Sequence, residues 1–270
     1  ERVQLVHASF RELRRVLEGF APSLGMPWQD VLGLGRNGHD ASEAFGMTPL
    51  ALHAARAANG VSRRHGHVAR AMWRLMYSES SEVPIQHVTN GVHVPTWMSG
   101  PMLALLTKYL GDGWQTRIAD PRTWEAVQNI PDAELWAVRC SLRRSLVEYV
   151  RGRSVEDRLA RGDALDYVEA AAKAFDPALL TVGCARRVAS YKRLHLLTRD
   201  LSRALGLLNA DRPIQVVIAG KAHPRDDDAK RIVQVVFGMK SSPIVGARVA
   251  FLEDYDMAAA AQLVAGCDVW

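Results

Sequence analysis

No apolar run in this sequence approaches the length of a membrane span, and no hydrophobic stretch follows a basic start as in an export signal, so neither a spanning nor an exported protein is expected. Cysteine is scarce. Cys140, Cys184 and Cys267 are odd in number, far apart and set among apolar residues, which argues against a disulfide framework and predicts free thiols in a reducing compartment, the cytoplasm. There is no internal repeat, low-complexity tract or flexible linker. Lys and Arg exceed Asp and Glu by 34 to 29, a net charge of +5, yet no basic stripe interleaved with aromatics is present, which argues against a nucleic-acid face. Arg143, Arg144, Arg151 and Arg153 follow an amphipathic helical pattern and are expected on its solvated side. The chain begins at Glu1 rather than methionine, and its N-terminus reads as internal to a longer protein.

What is present is a 270-residue globular composition, 48% hydrophobic and 23% charged, enough for one large or two modest domains. The first third reads as helical: Val3, Val6, Phe10, Leu13, Val16, Leu17 and Phe20 recur at helical spacing. Thr48 and Pro49 offer a cap and first turn for a second helix that Asn59 and Gly60 end. Ser62 caps a third, with Val68, Met72, Trp73 and Met76 predicted on its buried face, and residues 83–89 suit a short strand. Helices are predicted over 101–110, from Asp120–Pro121, over 132–151 and over 165–175, with Trp97, Trp114, Trp124 and Trp136 as packing residues. After Asp176 the period changes. Continuous apolar runs at 179–184, 214–219, 249–252 and 267–270 alternate with helical patterns at 194–208, 226–237 and 257–265. That order predicts a parallel sheet covered on both faces, an α/β fold.

In such a sheet, ligands bind outside the carboxyl ends of the strands. Arg186, Arg187, Lys192 and Arg193 follow the first run, Lys221 and His223 the second, and Glu253, Asp254 and Tyr255 the third. Four cations directly after a strand form an anion clamp without the glycines of a Walker loop, and a helix starting near Arg193 would add its positive end. The ligand this predicts is a phosphate. The bland alternative is a solvated charged turn, and the convergence of three strand ends on one edge favours the anion site.

Other motifs carry less. Gly33 to Gly38 has dinucleotide-fingerprint spacing, but 28–32 is a poor strand, so a turn is expected. His65 and His67 have no nearby partners to complete a metal set. Ser62, Ser99 and Ser190 lack a nucleophile elbow, and no carboxylate pair announces a glycosidase. The run 86–93, rich in short polar side chains, suits either recognition of sugar hydroxyls or a simple turn before a capped helix.

Five stretches in order, FGMTPLALHAARAANGVSRRHG (45–66), HVTNGVHVPTWM (87–98), VGCARRVASYKR (182–193), VVIAGKAHPRDDDAK (216–230) and VAFLEDYDMAAA (249–260), resemble the α-glucan phosphorylases, the glycogen and maltodextrin phosphorylase family, in particular a bacterial branch. The resemblance implies a GT-B-type glycosyltransferase fold, here partial. Its three parts would be the end of an N-terminal catalytic domain at 1–90, a helical connecting region at 91–176 and half of a Rossmann-like parallel sheet at 177–270. It implies pyridoxal 5′-phosphate as cofactor, inorganic phosphate and an α-1,4-glucan or maltodextrin as substrates, glucose 1-phosphate as product, and a homo-oligomeric parent with no nucleic-acid or membrane partner. Mapped onto this sequence, Arg187 and Lys192 hold the substrate phosphate. Arg186 stands near the cofactor phosphate where the family often has lysine, Tyr255 and the Asn59 to Val61 turn lie around the cofactor, and Asn90 contacts a glucose hydroxyl.

The family's cofactor-anchoring lysine belongs to a glycine- and serine-rich motif beyond FLEDYD that this sequence does not contain. Lys221 and Lys230 stand in other motifs. Ala189 occupies a position where some members carry histidine, and the family's upstream histidine-bearing glucose motif is absent too. The 270 residues by themselves are therefore expected to be inactive. A nucleotide-sugar-dependent glucan synthase of the same fold, or a non-catalytic carbohydrate- or phosphate-binding fragment, would share the basic clamp.

Overall fold

The computed structural model describes residues 10–36, 45–77, 82–240 and 243–270, and the chain divides into two compact units between Val92 and His93. In the first, helices α1 (Phe10–Phe20), α2 (Trp28–Leu34) and α3 (Met47–Ala54) precede a small parallel β-α-β unit: β1 (Ala58–Gly60), α4 (Arg63–Met72) and β2 (Ile85–His87). Trp28–Leu34 is thus helical, so the glycines at 33 and 35 do not follow the strand that a dinucleotide fingerprint requires; residues 37–44, including Gly38, lie outside the described residues.

Asn59 and Gly60 do not end a helix, since α3 stops at Ala54 and these residues pair in β1. Position 60 requires glycine for a close approach: a Cβ there would lie 2.7 Å from the Gly66 Cα in α4. Ser62 caps α4 as expected, its hydroxyl accepting the His65 amide at 3.1 Å. The expected apolar face is only partly covered, with Val68 44% and Met72 59% exposed. The face predicted over 3–20 falls partly outside the described residues, and within α1 Val16 and Phe20 are exposed.

The second unit holds α5 (Gly100–Leu110), the 30-residue α6 (Asp132–Arg161), α7 (Leu165–Lys173), and then β3 (Leu180–Ala185), α8 (Leu201–Leu208), β4 (Ile214–Ala219), α9 (Asp227–Lys240), β5 (Val249–Leu252) and α10 (Met257–Gly266). All sheet pairs are parallel, in the order β3-β4-β5, and the segment after α10 joins beyond β3, where Gly183 donates to the Val269 carbonyl at 2.8 Å. The chain therefore builds outward through β4 and β5 and returns to the opposite side of β3. The order in which the chain adds strands reverses beside β3, the place where an open α/β sheet leaves a crevice at its carboxyl edge.

Both faces of the sheet are covered, as continuous apolar runs require. Val217, Ala219, Ala250 and Leu252 pack against Leu146, Val147 and Val150 of α6 and Leu263 of α10, whereas Cys184, Val216, Ile218 and Phe251 pack with Val188, Leu194, Ala229 and Val236. Odd and even positions of β4 separate cleanly between these two cores, the strand period of two. In a third core Trp114, fully buried, meets Trp124 edge to face with ring centroids 5.4 Å apart. Trp136 departs from the expected packing role: it is 62% exposed, with the Arg143 guanidinium 5.5 Å from its ring centre.

Arg143 and Arg151 are not on a solvated face. Arg143 is 4% exposed and donates to the Pro177 carbonyl and the Asp268 carboxylate, and Arg151 donates to the carbonyls of Ala174 and Phe175 at 2.7 Å each. Guanidinium groups on the core side of α6 satisfy carbonyls at the chain's entry into the sheet, a task that the rigid donor fork of arginine suits.

Candidate functional site

The site is built at the carboxyl edge of β3 and β4. The two chains stay side by side past the strand ends: Arg186 donates its amide to the Ala219 carbonyl at 3.1 Å, Val188 donates to that of Lys221 at 3.0 Å, and Val188 pairs in parallel with Ala222. The strand register of 34 positions, Ala185 opposite Ala219, is thus kept through Val188 and Ala222. Gly220 permits it, because any Cβ at that position would collide with the Arg186 carbonyl oxygen. Val188, 2% exposed, and Leu194, 5% exposed, anchor the basic turn into the core below.

Above that footing the cations stand in solvent. Arg186, Arg187 and Lys192 are all exposed, and among the described residues no hydrogen bond or ion pair engages either guanidinium. Lys192 closes a short 3-10 turn, its amide donating to the Ala189 carbonyl at 2.9 Å and its ammonium lying 5.0 Å from the Tyr191 ring centre. Arg193 follows with φ 56°, a left-handed conformation that turns the chain away. The helix end expected near Arg193 is not available to an anion. The eight-residue α8 begins only at Leu201, after a single helical turn at Leu196–Arg199, and the Asp200 carboxylate already accepts the Arg203 amide at 3.0 Å.

The other two strand ends contribute unequally. Lys221 forms an ion pair of 3.1 Å with Asp254, whose φ of 49° is left-handed. His223 serves its own turn, Nδ1 accepting the Arg225 amide at 3.1 Å. Glu253 is engaged from α6, its carboxylate by Arg161 and its carbonyl by Arg153 at 3.3 Å. Tyr255 is half-buried against the core between α6 and the sheet, and this burial raises its phenol above the ordinary tyrosine range. The Asp256 carboxylate caps α10 at the Ala259 amide, 2.8 Å.

In the first unit the structure brings together two residues singled out from sequence. Asn90 donates its backbone N–H to the Val61 carbonyl at 3.0 Å, extending the β1–β2 pairing, and both residues are exposed. His65 has a structural task there, its Nδ1 accepting the Val61 amide at 3.0 Å. An apolar cavity of about 160 Å³ between α8, β4 and α9, lined by Leu201, Leu205, Ile218, Val236 and their neighbours, holds no charged group and lies apart from the cationic edge.

Sequence reasoning placed Arg186, Arg187, Lys192 and Lys221 at this edge but missed the Lys221–Asp254 pair and the arginines of α6. Nothing in the local sequence ties residue 221 to 254 or residue 161 to 253. The parallel register of β4 and β5 brings 221 to 254, and the packing of α6 against the sheet brings 161 to 253.

Residues 38–270 match the family described as carbohydrate phosphorylase. The chain is 38% identical over 247 residues to the glycogen phosphorylase of Aquifex aeolicus, 91% of this chain and 36% of that protein. It is 43% identical over 249 residues to the glycogen phosphorylase of Mycobacterium tuberculosis, 91% of this chain and 28% of that protein. With the maltodextrin phosphorylase of Thermococcus litoralis it shares 34% identity over 249 residues, 91% of this chain and 29% of that protein. It thus spans roughly a third of the length of the curated relatives it matches.

Proposed function

The chain belongs to the carbohydrate phosphorylase family, and from that premise we propose that the cationic edge after β3 holds inorganic phosphate for glucosyl transfer from an α-1,4-glucan or maltodextrin, releasing glucose 1-phosphate. The observation that carries this reading is the pair of exposed guanidinium groups at Arg186 and Arg187, free of ion pairs among the described residues, on a turn whose backbone is fixed by β4. Fixed donors aimed where charge develops stabilise a transition state at little reorganisation cost. Arg187 and Lys192 hold the attacking phosphate in this reading, and Asn90 orients a glucose hydroxyl.

Pyridoxal 5′-phosphate is the cofactor this reading implies. Within the second unit the residues present fit its phosphate: Arg186 offers an exposed cation, and Tyr255 a half-buried phenol. Among the described side chains none supplies its anchor, since Lys108, Lys173, Lys192, Lys221 and Lys230 are all exposed rather than desolvated amines. When bound, the cofactor supplies a phosphate that exchanges a proton with the substrate phosphate. Two such dianions repel, and Arg186, Arg187 and Lys192 offset that repulsion.

The strand order supports a partial GT-B plan in which 177–270 is half of a Rossmann-like domain, 91–176 a helical connection and 1–90 the end of the N-terminal domain. The three free cysteines agree with a cytoplasmic protein, and a homo-oligomeric parent completes the reading. The test is phosphorolysis of maltodextrin by the parent protein that carries the cofactor-anchoring lysine, read as glucose 1-phosphate, with the 270 residues alone expected to give none. Arg187→Ala lowers turnover about 10²- to 10³-fold, the effect of removing one preorganised donor. Unchanged turnover would refute the assignment, and consumption of a nucleotide sugar in place of phosphate would favour the synthase alternative.

A further inference from the structure

Arg187 and Lys221 face each other in register. Ala185 pairs with Ala219 and Val188 with Ala222, the same offset, so position 187 stands opposite 221. Val188 and Ala222 both point into the core that contains Ile218 and Phe251. By the alternation of side chains along an extended chain, Arg187 and Lys221 point to the other face, which they share with Ala185, Val217 and Ala219. Two cations on adjacent chains about 4.8 Å apart repel. Asp254, at the end of β5, offsets that repulsion through its 3.1 Å contact with the Lys221 ammonium.

We propose that Lys221 is a third phosphate-holding cation beside Arg187, and that Asp254 is an exchangeable counter-ion occupying Lys221 until an oxyanion displaces it. This rests on the reading of the edge as a phosphate site. The pair is suited to exchange because both partners are open to water, Lys221 at 58% and Asp254 at 84% side-chain exposure. Such pairs are weak, and an incoming phosphate offers more charge and more acceptor oxygens than one carboxylate. Asp254 holds a left-handed backbone, φ 49°, which asparagine tolerates equally, so the charge can be removed without strain.

The experiment is titration of the protein with inorganic phosphate at fixed ionic strength, for the wild type, Arg187→Ala, Lys221→Met, Asp254→Asn and the Lys221→Met/Asp254→Asn pair. Asp254→Asn tightens phosphate binding about two- to fivefold, the value of an exposed ion pair. Lys221→Met weakens it about five- to tenfold, and the double variant shows no gain over Lys221→Met. Weakening by Arg187→Ala, with Lys221→Met and Asp254→Asn both silent, would overturn the inference while leaving the phosphate site in place. Arg187→Ala without effect beside a weakened Lys221→Met would refute the role given to Arg187 and keep that of Lys221. No phosphate binding by the wild type would remove both.

Discussion

Arg143 Nη1 donates to Asp268 Oδ2 at 2.9 Å, and the same carboxylate oxygen accepts the Thr181 amide at 2.8 Å. Arg139 adds bonds to the carbonyls of Ala265 and Cys267 at 2.6 and 2.7 Å. Helix α6 thus grips the segment that lies beside β3, where the sheet reverses its order. The pair is well shielded, at 5% and 16% side-chain exposure, so its loss leaves the Asp268 carboxylate in a poorly hydrated place with only the longer 3.3 Å contact to Arg139 and the Thr181 amide.

Arg143→Ala is therefore expected to lower stability by an amount towards the lower end of the range of about 3–5 kcal/mol for breaking a buried ion pair by removing one partner, because Arg139 still reaches Asp268. Arg143→Lys recovers only part, because a single ammonium cannot match the guanidinium fork that reaches both Pro177 and Asp268. Urea denaturation midpoints check both, and a cost under about 1 kcal/mol for Arg143→Ala would place the pair among ordinary surface contacts.

Burial, with the Asp268 carboxylate adding to it, pushes the Cys267 thiol up to about 12. Little thiolate forms at neutral pH, so Cys267 is expected to resist iodoacetamide in the native protein and to react after unfolding. The unfolded thiol ionises first as pH rises, so the unfolded state there binds fewer protons than the native state. The stabilisation from keeping this thiol neutral is complete below the unfolded value and is lost as pH climbs from about 9 towards 12. Mass spectrometry of alkylated peptides reads the labelling; fast native labelling at Cys267 at pH 7 would contradict the burial.

Two glycines respond in opposite ways to a methyl group. Gly152 lies on the exposed side of α6 with nothing within 4 Å of a Cβ, so Gly152→Ala stabilises by about 0.5–1 kcal/mol through helix propensity. Gly60→Ala presses on the α4 backbone and costs about 1–3 kcal/mol, since that backbone has no side-chain rotamer to yield. Thermal melts of the two variants should move in opposite directions.

Phosphate binding to the native state alone adds stability. At a hundredfold excess over its Kd it contributes about 2.7 kcal/mol, visible as a raised Tm in phosphate relative to chloride at equal ionic strength. Arg187→Ala should lose most of that increment at the same phosphate concentration. An identical increment in wild type and variant would show that the ion acts elsewhere.

The parallel sheet was legible because its strands are continuous apolar runs, Ile214 to Ala219 among them, separated by helical periods and closed by charged turns. The strand β1 was not legible. Three residues, Ala58, Asn59 and Gly60, carry no β-branched side chain, and pairing with β2 rather than propensity makes them a strand. Arg143 and Arg151 were misread because arginine at helical spacing resembles a solvated face until the carbonyls it reaches are known. For the site, the sequence located the cations by their place after strands. It could not locate Asp254 against Lys221, which depends on the register between β4 and β5.

Thr181 and Asp268 meet across 87 positions of chain, and that separation bears on the order of assembly. β3, β4 and β5 join as consecutive neighbours, each crossover closing a shorter loop than the final one, which must bring residues 267–269 around to the far side of β3. Until it closes, β3 presents an open row of amides and carbonyls on that side. Refolding of this unit then ends in a late docking step, slow because it is non-local, during which Arg139 and Arg143 wait for their acceptors. An open parallel edge that persists through the slow phase is a place where two partly folded copies can pair, so the yield of refolding falls as protein concentration rises.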